Sequence, residues 1–278
     1  KAVADGNRYL QSYGSSAEAD DVAFQMGRAH QNAGRNKEAV DLYKRFLGRA
    51  KGADDRVRTY VLLAKAQLKV NDERGADESL KSAVALGRRS KGSLSAEGKY
   101  AAAEARYMEG ARVLERFEKI QIQGDVKQLS QRLKQKAELL KAAATVFLDT
   151  VSLGVAEWTT AALYQIGHTY ESFAKALRDA PPPPSMSDAD KDAYQAQIDS
   201  FVVPIEERSL DAYETGWKKA MDLGIYNQWT AKMRESLGRL NSELYAPLKE
   251  IGVEVRSTSP APFPALIDAP RRGITDGA

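Results

Sequence analysis

The sequence predicts an all-α fold, an α-solenoid of stacked helical hairpins, and three observations carry that prediction. A pattern of small and bulky residues returns after 37 residues. Within each copy two small residues stand 12 apart, which suits two helices crossing closely around a short turn. Apolar residues recur every three or four positions through most of the remaining chain, and no segment reads as a clear sheet.

The first full copy occupies residues 19–50, around "MGRAHQNAGRNKEAVDLYKRFL" (Met26–Leu47). Ala23, Met26, Gly27 and His30 precede a turn at Gly34; Ala39, Tyr43 and Phe46 follow it. Shifting by 37 gives the copy over 55–90: Tyr60, Leu63 and Ala64, then Asn71 in the turn, then Ala76, Leu80 and Ala83. Small residues let the helix axes approach, bulky ones fill above and below, and glycine or asparagine suits a left-handed turn. Ala2, Tyr9 and Leu10 lie 37 before Ala39, Phe46 and Leu47, so 1–15 reads as half a repeat.

These small, turn and aromatic positions resemble the tetratricopeptide repeat (TPR), a 34-residue helical hairpin. The three extra residues fit the "KGADD" connection, Lys51–Asp55. The resemblance implies a right-handed α-solenoid of TPR-type hairpins, with one elongated hairpin and a proline-led insertion. The elongated hairpin spans 94–152: one strong helix pattern over Ser95–Ile120, a break at Gly124, then an amphipathic pattern of near 27 residues from Val126 to Val151. A third repeat covers 156–225, with Leu163, Ile166, Gly167 and Tyr170 in first-helix places and Ser209 and Tyr213 in second-helix places. Gly167 and Ser209 are 42 apart, so an insertion is expected at 180–203. It starts with Pro181–Pro184 and continues as a short helix capped by Ser187. Residues 228–246 read as a capping helix and 251–278, proline-rich and aperiodic, as an extended or disordered tail.

Composition narrows the function. Net charge is +3, with 41 basic and 38 acidic residues, little support for a dedicated nucleic-acid binder. No apolar run approaches the roughly 18 residues of a membrane span, so no transmembrane segment is expected, and peripheral membrane association stays open. Cysteine is absent, excluding disulfides, thiol nucleophiles and Cys-ligated zinc. His30 and His168, the two histidines, fall in different repeats without a metal-chelating partner at i+4. No nucleophile elbow, P-loop, dinucleotide fingerprint or zincin motif occurs. The pairs Asp20–Asp21 and Glu206–Glu207 suit helix starts better than acid–base catalysis. A non-enzyme without cofactor or metal is therefore expected.

From Lys81 to Lys141 there are 14 Lys or Arg against 7 Asp or Glu, densest in "RRSKG" (Arg88–Gly92) and "QRLKQK" (Gln131–Lys136). This reads as a solvated face or as a docking surface for an acidic partner or anionic lipid headgroups. In the TPR family, ligand contacts come from positions six and three before the first-helix small residue, and one and four after it. The resemblance carries these to Asp21, Phe24, Arg28 and Gln31; to Arg58, Val61, Lys65 and Leu68, with Lys69 adjacent; and to Ala161, Tyr164, His168 and Glu171. Phe24, Arg28, Gln31, Arg58, Lys65, Lys69, Tyr164, His168 and Glu171 are the candidate partner-binding residues. A mixed basic and apolar groove suits an extended or helical peptide with acidic and hydrophobic residues. Phe24 and Arg28 stand where one subtype places the Lys/Asn clamp for C-terminal carboxylates, a departure from that subtype.

The texture of Ser95–Leu248 resembles TPR proteins of bacterial cell-envelope machines such as the adventurous gliding-motility complex. That implies a periplasmic, outer-membrane-associated scaffold binding other proteins of a multiprotein complex. The alternatives are a cytoplasmic TPR adaptor or chaperone cofactor, an accessory domain of a larger enzyme, and a basic lipid or nucleic-acid binder.

Overall fold

A computed structural model describes residues 2–14, 16, 18–182 and 186–246, all within one unit, Lys1–Ala246. The expected tail at 251–278 lies outside the described residues, as do Pro183 and Pro184 of the proline run. Among the described residues there are ten helices and no strands. They are α1 (Ala2–Tyr13), α2 (Ala19–Asn32), α3 (Asn36–Arg49), α4 (Ala53–Lys69), α5 (Glu73–Arg89), α6 (Ala96–Lys119), α7 (Val126–Ser152), α8 (Ala156–Arg178), α9 (Asp188–Asp222) and α10 (Gln228–Leu240).

Local chemistry sets several of the boundaries. Side chains of Asp72, Ser95, Asp125, Ser187 and Asn227 accept backbone N–H bonds at the starts of α5, α6, α7, α9 and α10, and Asp125 and Asn227 close reciprocal capping boxes. The α2–α3 turn carries Gly34 at φ +74° and the α4–α5 turn Asn71 at φ +60°. Only glycine, or an asparagine, adopts that conformation at low cost.

Each helix packs on the next in sequence, an arrangement consistent with an α-solenoid. From α4 onward the even-numbered helices also pack on one another, α4 on α6, α6 on α8 and α8 on α10. No pair of odd-numbered helices packs to that extent. The even helices thus form an inner row and the odd helices a looser outer one. The core follows chain order, with buried clusters joining α2–α4, α4–α6, α6–α9 and α8–α10.

One contact recurs in three hairpins. A Cβ on Gly27 would stand 2.6 Å from the Tyr43 ring, on Gly167 2.6 Å from the Tyr213 ring, and on Gly110 2.6 Å from the Phe147 ring. In each case a fully buried ring lies on bare helix backbone. In the α4–α5 hairpin Ala64 and Leu80 share one buried cluster at the equivalent spacing, so a larger first residue accompanies a smaller second one.

Two helices depart from the sequence reading. The short helix within the 180–203 insertion is not separate: α9 runs unbroken for 35 residues, with Pro204 inside it. Proline removes one helix hydrogen bond, but Val202 is fully buried and Ile198 and Ile205 pack on the same core, so burial along α8 holds the helix through it. The capping helix stops at Leu240 rather than continuing toward 246. There Asn241 Oδ1 accepts the Leu244 N–H, and Arg234 donates to the carbonyls of Tyr245 (3.0 Å) and Ala246 (2.7 Å), folding the chain back on α10.

Candidate protein-binding surface

The inner row places the candidate residues. α2 does not extend the direct packing of α4, α6, α8 and α10, and the space it leaves is a groove of about 450 Å³. Phe24 and Arg28 line it from α2, Arg58, Val61 and Leu62 from α4, and Glu97, Tyr100 and Glu104 from α6. Phe24 is seated by Phe46 (ring centroids 5.1 Å apart) and Tyr43 (6.2 Å), and the Arg58 guanidinium lies 5.9 Å from its ring centre. A guanidinium resting on an aromatic face keeps its N–H edges free for an anionic partner. Arg28 is exposed and makes no ion pair among the described residues. Lys65 is not free: its Nζ is 2.6 Å from Glu104 Oε1.

The two predicted residues four positions beyond the small glycine have structural duties. Gln31 accepts the Tyr43 hydroxyl at 2.7 Å and donates to the Leu62 carbonyl at 3.4 Å, linking α2, α3 and α4. Glu171 accepts the Tyr213 hydroxyl at 2.9 Å and the Arg239 guanidinium at 2.5 Å. Burial drives both phenols upward, Tyr43 to about 12 and Tyr213 further, with Arg28 opposing the shift at Tyr43.

Tyr164 and His168 belong to a second patch. Their rings stack at 5.8 Å and 7°, and His168 Nε2 stands 3.8 Å from Glu118 Oε1. Tyr164 also meets Trp229 at 5.6 Å, with Lys232 Nζ 4.8 Å from the Trp229 ring centre. Trp229 lies 6.0 Å from Tyr107, Tyr107 lies 5.0 Å from Trp158, and Trp158 lies 5.5 Å from Tyr100. Tyr100, 38% exposed, donates to Glu157 at 2.7 Å and is also a wall of the first groove. Half-buried aromatic rings therefore connect the two patches along α6, α8 and α10. His30 lies elsewhere, buried, its Nδ1 accepting from Arg35 Nε at 3.1 Å. Lys69 is exposed and does not line the groove.

The α6 residues Tyr100, Glu104 and Tyr107 are absent from the sequence-derived set. The signal was Gly110: Glu104 and Tyr107 stand six and three positions before it, as Arg58 and Val61 stand before Ala64. No three His, Asp or Glu side chains among the described residues converge as a metal site would need. No described helix is long and apolar enough to cross a membrane. No protein-family model matches the chain, and no curated protein does.

Proposed function

We propose that the chain is a TPR-type scaffold without catalytic activity, gripping a segment of a partner protein along its inner row. The observation that carries the reading is the groove where Phe24, Arg58 and Tyr100 expose aromatic and cationic surface side by side, beside an unpaired Arg28. Such a surface suits a segment bearing acidic and bulky apolar residues: the carboxylates meet the guanidiniums, and the apolar side chains enter against Phe24 and Val61. The aromatic line from Tyr100 to Tyr164 extends the same face for a longer segment. Affinity then rests on a few anchors rather than on area. The envelope setting rests on the sequence texture of 95–248 alone, and there the scaffold would be periplasmic and associated with the outer membrane.

A display selection of random peptides tests the reading. Selected peptides should be enriched in Asp or Glu together with Leu, Phe or Trp. Arg28→Glu with Arg58→Glu should weaken a selected peptide at least about tenfold, a loss of about 1.4 kcal/mol, with helicity unchanged. Undiminished binding by the double variant would remove the groove from consideration.

A further inference from the structure

On the outer side, where α5 and α7 do not pack on one another, α6 floors a cavity of about 490 Å³. Four cations line it: Arg88 near the end of α5, Lys91 just after it, and Lys99 and Arg106 two turns apart on α6. The lining holds a single carboxylate, Asp149 of α7. Its Oδ2 accepts from Arg88 at 3.0 Å and from Arg106 at 2.5 Å. Both guanidiniums are thereby held in place with donors to spare. Arg106 spends a second nitrogen on Glu109 at 2.7 Å, and its buried Nε has no hydrogen-bond partner. Lys91 and Lys99 make no ion pair among the described residues.

A purely local account covers only part of this. Arg88 stands in the last turn of α5, where a cation complements the helix dipole. Lys99 stands in the first turn of α6, where the dipole opposes a cation, and Arg106 is in mid-helix. Asp149 and Glu109 offset the two arginines, and the two exposed lysines are left as surplus positive charge on the same hollow. The other face of α5 repeats the theme on a smaller scale, with Arg56, Lys81 and Arg89 around a hollow of about 280 Å³. The first cavity has the size of a small-molecule site, which typically runs from about 300 to 1,000 Å³. Its cationic donors come from α5, from the connection after it and from α6, so they can meet a phosphate with several acceptor oxygens from more than one side, while α7 contributes Asp149. Val84, Leu94 and Leu153 supply an apolar wall for whatever carries that phosphate.

We infer that the α5–α6–α7 cavity is a phosphate-binding site, taking the phosphate group of a small phosphorylated molecule or of a phospholipid headgroup. Two probes separate these sources. Glycerol 3-phosphate is titrated by calorimetry, and phosphatidylcholine vesicles with and without phosphatidic acid are tested by co-sedimentation. Binding of glycerol 3-phosphate assigns a soluble ligand; binding of the phosphatidic acid vesicles alone assigns a lipid headgroup. Lys91→Ala with Lys99→Ala, both exposed, should weaken the probe that binds about tenfold, and Asp149→Asn should tighten it by removing the competing carboxylate. Arg28→Glu with Arg58→Glu on the inner face should leave it unchanged. If Asp149→Asn fails to fold, the lysine pair decides. Absence of binding by both probes, or binding unaffected by the lysine pair, would overturn the site.

Discussion

Tyr43 concentrates several demands in one residue. Its ring lies on the bare backbone of Gly27, its edge supports Phe24, and its hydroxyl is held by Gln31. Full burial keeps the phenol protonated well past the ordinary tyrosine range, to about 12. An acid whose pKa is raised on folding contributes stability that is complete below its unfolded value and disappears as pH climbs through its folded value. The window for Tyr43 is therefore about pH 10 to 12, and Tyr107, Tyr164 and Tyr213 shift in the same direction for the same first reason, burial. Urea unfolding across an alkaline pH series should show stability falling in that window. Tyr43→Phe should make the fall shallower while costing about 1 kcal/mol near neutrality for the lost hydrogen bond. An alkaline slope identical to the parent's would exclude Tyr43 as a contributor.

At the scale of the element, α9 is the sharpest contrast between local preference and tertiary demand. Pro204 deprives the Ser200 carbonyl of its helical donor, yet the helix continues because α9 is packed along α8, with Val202, Ile198 and Ile205 in or against the same core. Replacing an interior proline with alanine should stabilise the protein by up to about 3 kcal/mol, seen as a higher urea midpoint. At the start of a separate helix the same change would gain nothing, so an unaltered midpoint would refute a continuous α9. Much else at this scale was readable without coordinates. Gly27 and Tyr43, Gly34, Asn71 and the Ser187 cap are short-range devices whose spacing betrays their role. Gly110 escaped because it sits in an alanine-rich helix, where Ala101, Ala102, Ala103, Ala105 and Ala111 offer equivalent small positions and hide the register. With that register went Glu104 and Tyr107, and hence the α6 contribution to the inner surface. The local engagement of Gln31 and Glu171 was equally hidden, since nothing along the chain tells that a polar residue on a favoured face will be claimed by a tyrosine from the next helix.

For the whole molecule, sequential packing makes stability a sum of neighbouring contributions. Gly27→Ala would press a Cβ into Tyr43 and should cost about 1–3 kcal/mol locally. Hydrogen exchange read by mass spectrometry should then rise in α1–α3 and stay at parent levels in α8–α10, which share no cluster with them. Uniform loss of protection from end to end would mean that the molecule unfolds as one block. The unequal rows have a mechanical consequence as well. A bending load would open or close the spaces between the outer helices, whose mutual contacts are few, before it parted the inner ones. The stack would flex as a leaf spring does, bending about its continuous side. The width of the gap between α5 and α7 would then report the load carried.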